Sequence, residues 1–202
     1  MPGEAILVTL RHAWTALEPL KMPMAVIGGV ALSAWNHIRY TRDADLLIGI
    51  DEARLDEVFA AVGQAGFWPR HSPPVIQIED QKLIQLKFTP PERTMPFQVD
   101  LLFAGSEYQK TALARRTMAE IPGLEHPVQV LRPDDLILLK LLAGRVIDRA
   151  DAAMLLRENR DEIDMAYLND WIRRLSLANE LAEIWREAFP DEPIPVPGSR
   201  PS

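Results

Sequence analysis

The spacing of apolar residues changes along the chain and separates predicted helices from predicted strands. Over residues 4–20 apolar side chains recur at helical spacing, and Pro19 and Pro23 end the run. Short apolar or alternating runs are typical of strands. The predicted strands are residues 24–27, 44–50, 75–78, 82–88 and 97–103. Residues 79–81 join the third and fourth of these strands as a hairpin turn.

Helical spacing also appears between the early strands and dominates the later chain. Residues 30–37 follow a glycine pair, and residues 52–65 form a predicted helix that Asp51 caps and Gly66 ends. Beyond Gly105 the pattern is mostly helical. The exception is a small hairpin at 118–121 and 128–131. One predicted helix runs from Pro133 to its stop at Gly144, and the others are at 147–158, 165–175 and 178–189. Strands early and helices late predict an α+β fold with a separate helical part.

Composition narrows the class of protein and its location. The chain has 202 residues, 48% of them hydrophobic and 25% charged, which is typical of a globular protein. A net charge of −7 argues against a surface that coats nucleic acid throughout, although a local basic patch would still bind phosphates. The absence of cysteine excludes disulfides, thiolate catalysis and cysteine-bound zinc. With no signal peptide and no long apolar run, we expect a cytoplasmic protein without a membrane partner.

Three aspartates stand where burial would be costly without a positive partner. Asp43 and Asp45 precede an apolar strand, and side chains two residues apart in a strand point to the same side. Asp100 lies inside the apolar run FQVDLLF, where an unpaired carboxylate is expensive. Mg²⁺ is the simplest cation for such oxygens. If the Asp43 and Asp100 strands are neighbours, three carboxylates converge.

Each of these features also has a simpler explanation. An acid pair before a strand is compatible with capping or solvation. The pair Gly28 and Gly29 is compatible with a helix C-cap or a tight turn. The combination and order of the features are more specific than any one of them.

Together the motifs resemble the nucleotidyltransferases of the DNA polymerase β-like superfamily. Their signature is an apolar residue with Gly-Gly or Gly-Ser, a short helix, an acid-x-acid pair that opens a strand, and a later acid in an apolar strand. The corresponding residues are Ile27-Gly28-Gly29, Asp43-Ala44-Asp45 and Asp100. The stretches GGVALSAW and RYTRDADLLI are most similar to the AbiEii-type toxin branch, whose helical motif resembles RPDDLILLKLLAGRVIDRADAAML at residues 132–155.

The resemblance implies a fold and a domain division. A mixed sheet flanked by helices would form a nucleotidyltransferase catalytic domain over residues 1–131. A C-terminal helical bundle would form the second domain over residues 132–189, and residues 190–202 would be a flexible proline-rich tail.

The resemblance also implies transfer of a nucleotide from an NTP with two Mg²⁺ ions. Ions held by Asp43 and Asp45 would bind the triphosphate and polarise its α-phosphorus. Asp100 would help to hold the second ion, which lowers the pKa of the attacking hydroxyl. The residues implied as nucleotide ligands are Gly28, Gly29, Ser33, Arg39 and Lys140. Because Gly29 stands where the family often has serine, that phosphate contact is missing or supplied elsewhere.

Several of these ligands have alternative roles. Ser33 is equally compatible with solvent exposure or packing, and Arg39 with a salt bridge that orients the acids. Lys140 would by default extend to the surface, whereas its motif suggests that it reaches phosphates. For Asp148 and Asp151, which share a helix face, we favour an ion network that positions Lys140.

The sequence disfavours some competing reaction classes and leaves others open. The aspartate pair precedes its strand, which disfavours dehalogenase-type phosphatases and many glycosyltransferases, and P-loop, zincin and G-x-S-x-G motifs are absent from the sequence. The acceptor hydroxyl remains open among RNA or tRNA, a protein and a small molecule. The chain would act as the toxin of a toxin–antitoxin pair with a cognate antitoxin as partner. The alternative is a catalytically inactive nucleotidyltransferase-like scaffold that binds a partner protein.

Overall fold

The computed structural model describes residues 3–194, which form two compact units. The first unit comprises the described residues up to Ala34 together with Ile38–Leu131. The second comprises Trp35–His37 and the chain from Arg132 onward. Much of the predicted tail at 190–202 therefore lies outside the described residues.

A mixed sheet forms the centre of the first unit. Eight strands are found in the described part of the chain: β1 Met24–Ile27, β2 Asp43–Ile48, β3 Trp68–Pro69, β4 Val75–Ile78, β5 Gln81–Phe88, β6 Phe97–Phe103, β7 Thr117–Ala119 and β8 Val128–Val130. Their order across the sheet is β3-β5-β6-β2-β1-β8-β7. Strand β4 is not part of this order and pairs with β5, as β3 does. The pairs β2–β6 and β1–β8 are parallel, and the other pairs are antiparallel.

Apolar alternation explains why the central strands are buried. The side chains of Val99, Leu101 and Phe103 in β6 are buried, whereas those at alternate positions are half-buried. The same alternation continues in β2, where Ala44 and Leu46 are fully buried. One face of the sheet is therefore apolar along both strands, and the opposite face carries polar groups near the strand starts.

Helices cover the sheet of the first unit. They are α1 Glu4–Leu17, α2 Gly28–Ala31, α3 Leu55–Gln64 and α4 Glu107–Ala114. The apolar side of α1, which includes Ile6, Leu10 and Leu17, is buried. Ser106 and Gln109 form a capping box that starts α4.

The second unit is a helical bundle with its own core. Its helices are α5 Pro133–Ala143, α6 Val146–Glu158, α7 Met165–Arg174 and α8 Ala178–Ala188. Pro133 begins α5, and Gly144 ends it with a φ of 67°, as the sequence predicted. The sequence prediction of an α+β fold with a mixed sheet, flanking helices and a helical bundle is confirmed.

Some element boundaries differ from those predicted. The helix predicted at 30–37 is a single α-helical turn, α2, continued by a 3₁₀ turn at Leu32–Trp35. Strand β2 begins at Asp43, one residue before the predicted start, so that both acids of the pair lie in the strand. The short strand β3 was not predicted, because two residues of Trp-Pro carry no alternation.

Candidate active site

A polar patch lies on one face of the sheet where the parallel strands β2 and β6 begin. Strand β6 lies between β5 and β2, and its residues pair in register with both. Asp100 is opposite Asp45 on one side and Gln85 on the other. One step along, Gln98 is opposite Asp43 and Lys87. Because residues in register on neighbouring strands point to the same side, these polar residues share one face.

Asp43 and Asp45 occupy alternate positions of β2 and are half-buried, while Ala44 between them is fully buried on the other face. The alternation predicted from the sequence therefore places both carboxylates on the side of Asp100. The backbone carbonyl of Asp43 accepts a hydrogen bond from the buried hydroxyl of Thr41 at 3.1 Å, which fixes the start of the strand.

Two glutamines bind the carboxylate of Asp100. Gln85 Nε2 donates to both of its oxygens, at 3.3 and 3.2 Å, and Gln98 Nε2 donates to Oδ1 at 2.7 Å. Burial raises the pKa of Asp100, as does the nearby charge of Asp43, and the hydrogen bonds from the two glutamines oppose this shift only in part. Burial is therefore the main cause of the raised pKa of Asp100, and the charge of Asp43 adds to it.

Further side chains hold the glutamines. Arg70 Nη1 donates to Gln98 Oε1 at 2.9 Å, and His71 Nε2 lies 2.8 Å from Gln85 Oε1. Arg70 follows β3, and its backbone amide donates to the carbonyl of Gln85 at 2.8 Å. Both Arg70 and His71 are exposed.

Gly28 lies directly against Asp45. Its φ is +64°, in the left-handed region that favours glycine, and Ile27 before it pairs with Asp45 across β1 and β2. A Cβ at Gly28 would lie 1.9 Å from Asp45 Oδ2, well inside contact distance. The carboxylate of Asp45 therefore occupies the space that a side chain at position 28 would need.

Gly29 has a different neighbourhood. A Cβ there would lie 2.9 Å from both Cβ and Oγ1 of Thr41 and 3.3 Å from Nη2 of Arg39. Arg39 is half-buried, and its Nη1 donates to the carbonyl of Tyr40 at 3.0 Å. The structure thus brings the predicted ligands Gly28, Gly29 and Arg39 to the aspartate pair or to the segment that precedes it.

Ser33 makes a local contact. Its buried hydroxyl donates to the backbone carbonyl of Val30 at 2.6 Å, within the same helical turn. This bond satisfies the hydroxyl inside the fold, and a phosphate contact by Ser33 stays a prediction.

Lys140 belongs to a buried ion network of the second unit. Its Nζ donates to Asp148 Oδ1 and Asp151 Oδ2, both at 2.8 Å. Arg145 contacts the other oxygen of Asp148 at 2.5 Å, and His37 Nε2 lies 3.0 Å from Asp151 Oδ1. This arrangement agrees with the ion network that the helix spacing indicated. A phosphate contact by Lys140 stays a prediction.

The donor chemistry of the three aspartates fits a hard divalent cation, because carboxylate oxygens are the ligands that Mg²⁺ prefers. Asp43, Asp45 and Asp100 share a face, and Asp43 is close enough to raise the pKa of Asp100. Within residues 3–194, however, no group of three or more histidine, aspartate or glutamate side chains has an arrangement that could already hold a metal ion.

Sequence reasoning missed four polar residues around Asp100. Gln98 was detectable, since it stands two positions before Asp100 in the same strand, and Gln85 stands between the apolar residues Ile84 and Leu86 of its strand. Arg70 and His71 had no signal, because they follow the unpredicted strand β3 and reach the glutamines by direct side-chain contacts that form only once the strands are paired. None of the helices in the described part of the chain is both long and apolar enough to cross a membrane.

Comparison with protein families gives one match over most of the chain. Residues 10–198 match the family described as the nucleotidyl transferase AbiEii toxin of type IV toxin–antitoxin systems. Comparison with curated proteins found no significant match.

Solved structures with a similar fold have low sequence identity. The antibiotic-resistance factor ANT(2'')-Ia is 14% identical, with a TM-score of 0.55 over 87% of this chain and 96% of that protein. JHP933 from Helicobacter pylori is 13% identical, with a TM-score of 0.50 over 92% of this chain and 79% of that protein. TM1012 from Thermotoga maritima is 16% identical, with a TM-score of 0.50 over 81% and 97%. These similarities support the fold.

Proposed function

Because the chain belongs to the AbiEii nucleotidyl transferase toxin family, we propose that it transfers a nucleotide from an NTP to a hydroxyl acceptor at the sheet face formed by Asp43, Asp45 and Asp100. The observation that carries this proposal is the parallel pairing of β2 and β6. It sets Asp45 opposite Asp100, with Asp43 on the same face and Gly28 against Asp45.

In the proposed reaction the acceptor hydroxyl releases its proton to solvent and its oxygen attacks the α-phosphorus. The bond from that phosphorus to the oxygen bridging the α- and β-phosphates breaks, and pyrophosphate leaves with the electron pair. Asp43, Asp45 and Asp100 would hold Mg²⁺, and two ions are proposed. Bound Mg²⁺ would supply positive charge for the triphosphate and acidify the attacking hydroxyl. Gly28 has no side chain and so leaves room for the carboxylate of Asp45, and Arg39 would offer a guanidinium next to Gly29 for a phosphate oxygen.

The acceptor and the partner are proposed at the level of chemical class. An RNA or tRNA end, a protein hydroxyl and a small-molecule hydroxyl all remain open as acceptors, because acids that hold metal ions do not themselves select the acceptor. The family description supports a toxin role with a cognate antitoxin protein. We propose Ser33 and Lys140 as additional nucleotide ligands on the basis of the motif resemblance.

The test is transfer of label from each of four radiolabelled NTPs, with and without MgCl₂, to total RNA and to cell lysate. Wild type should transfer label from at least one NTP only when the metal is present. Asp43→Ala should reduce transfer by at least about 1,000-fold, which corresponds to about 4 kcal/mol of transition-state stabilisation. Asp56→Ala, at an exposed acid in α3, is the matched control and should retain wild-type transfer.

Two outcomes would contradict the proposal. Equal transfer by wild type and Asp43→Ala would exclude the assigned site. If wild type shows neither metal-dependent NTP binding nor transfer, the result would instead favour a partner-binding scaffold without turnover.

A further inference from the structure

Asp100 is connected to the exposed edge of the sheet by two pairs of side chains within the first unit. Gln98 bridges Asp100 and Arg70, with contacts of 2.7 and 2.9 Å. Gln85 bridges Asp100 and His71, with contacts of 3.2 and 2.8 Å. Each glutamine therefore uses both ends of its amide, and neither end is left to rotate freely.

The chemistry of its two partners fixes the direction of the Gln98 amide. A glutamine amide has one end that accepts and one that donates hydrogen bonds, whereas a guanidinium only donates. Because Arg70 donates to the oxygen of Gln98, the NH₂ group of that amide must face Asp100. A reversed amide would set its oxygen against the carboxylate and its NH₂ against the guanidinium, and both contacts would be lost.

The position of the donors also determines how Asp100 is held. In the register of the sheet, Gln85 and Asp45 flank Asp100 on opposite sides. Gln98 lies two residues before Asp100 on the same face of β6. The donors therefore contact the carboxylate from the side of β5 and from its own strand, and they leave the side of β2 to Asp45 and Asp43.

We propose that Gln85 and Gln98 are positioning residues for Asp100, and that Arg70 sets the direction of the Gln98 amide. The inference rests on the proposed function, in which Asp100 is one of three metal-binding acids. Removal of an outer partner that orients a metal ligand commonly lowers metal affinity or activity by about 10- to 100-fold.

The first experiment replaces each glutamine by a side chain of similar length without hydrogen-bonding amide groups. Gln85→Met and Gln98→Met should each weaken Mn²⁺ binding by about tenfold in a titration without nucleotide, followed by electron paramagnetic resonance. In the transfer reaction kcat should fall while KM for the NTP is unchanged, and higher Mn²⁺ should restore part of kcat. Gln77→Met is the matched control, since Gln77 is an exposed glutamine of β4 that donates to the carbonyl of Glu79.

The second experiment tests whether Arg70 acts through Gln98. Arg70→Ala should lower Mn²⁺ affinity less than Gln98→Met does, and it should have no further effect in a Gln98→Met background. Such non-additivity is expected of residues in one hydrogen-bond network. Additive effects, or a raised KM for the NTP with unchanged kcat, would overturn the role of Arg70 and indicate direct contact with the substrate.

Failure of this inference and failure of the proposed function give different results. If wild type is active, Asp100→Asn is inactive, and both methionine variants keep wild-type Mn²⁺ affinity and kcat, the positioning role is wrong and the proposed function stands. If Asp100→Asn is as active as wild type, the assignment of the acids fails and the inference fails with it. Thermal unfolding checks that each variant folds, and Gln85→Leu and Gln98→Leu replace any methionine variant that does not.

Discussion

Gly28 and Gly29 are required for different physical reasons. Gly28 has a φ of +64° and has Asp45 where its side chain would be. Gly29 lies outside the left-handed region, but Thr41 and Arg39 occupy the space that a Cβ at this position would need. The first glycine therefore satisfies a backbone requirement and a steric one, and the second satisfies a steric one.

A methyl group at Gly28 should disrupt the site more than the fold. In Gly28→Ala the new Cβ would force Asp45 to move, and the left-handed backbone would cost about 1 to 2 kcal/mol. Because a displacement of about 1 Å at a catalytic group can lower the rate about 100-fold, we expect at least that loss of kcat. Steady-state transfer assays measure it.

Gly63 provides the matched control for this substitution. It lies in α3, and a Cβ there would have nothing within 4 Å. Gly63→Ala should keep wild-type activity and increase the free energy of unfolding by up to about 1 kcal/mol. A Gly28→Ala variant with full activity would show that Asp45 does not need its observed position.

At the scale of elements, helices α5 and α6 are joined by a buried ion network. Lys140 on α5 donates to Asp148 and Asp151 on α6. Asp148 has a side-chain exposure of 0%, whereas Arg145, which also binds it, is 71% exposed. Burial alone would raise the pKa of Asp148, but the hydrogen bonds and charges of Arg145 and Lys140 outweigh burial and lower it.

The lowered pKa gives this network a defined dependence on pH. A carboxyl whose pKa is lower in the folded than in the unfolded state stabilises the fold above its unfolded pKa of about 3.9, and the contribution disappears as pH falls through the folded pKa. Asp148→Asn should therefore cost about 1.5 to 3 kcal/mol at pH 7, because the buried Lys140 keeps Asp151 as a partner, and the difference from wild type should be smaller below about pH 4. Urea denaturation between pH 3 and 7 measures both quantities.

An exposed ion pair provides the comparison for Asp148. Asp170 pairs with Arg173 at the surface of α7, where its side chain is 44% exposed. Asp170→Asn should cost less than about 1 kcal/mol across the same range. Equal costs for the two variants, or a cost at Asp148 that does not change with pH, would contradict a stabilising buried network.

At the scale of the whole molecule, the acidic net charge of −7 complicates any measurement with divalent ions. Cations in solution screen the repulsion among all acidic groups, so they stabilise an acidic protein without a specific site. A specific site adds a saturable contribution, because an ion that binds only the folded state raises its stability by mass action.

Mg²⁺ or Mn²⁺ at 100 times its dissociation constant should stabilise the fold by about 2.7 kcal/mol, which raises Tm by about 5 to 10 °C for a protein of this size. Differential scanning fluorimetry measures the shift. NaCl at equal ionic strength should give a smaller shift, and Asp45→Asn should respond to the divalent ion only as it does to NaCl. An equal response of wild type and Asp45→Asn would place any ion site away from Asp45.

Local sequence patterns predicted the parts of the fold that depend on local physics. Strands β1, β4 and β6 have the predicted bounds, because each is a short apolar run between turn residues. Alternation alone placed Asp43 and Asp45 on one face. The bonds from Gln85 to Asp100 and from Arg70 to Gln98 span 15 and 28 residues of sequence, and such contacts depend on strand order, which periodicity does not encode.

The division of the chain into its units limits where related chains can recombine. The three residues Trp35–His37 belong to the helical unit, where Asn159 donates to the carbonyl of Trp35 at 2.9 Å and His37 contacts Asp151, although they are encoded between Gly29 and Asp43. A recombination event after Leu131 would leave this tripeptide behind with the wrong partner. We therefore expect natural or engineered chimeras to stay stable when residues 35–37 are exchanged together with the C-terminal segment. They should lose stability when the C-terminal segment alone is transplanted.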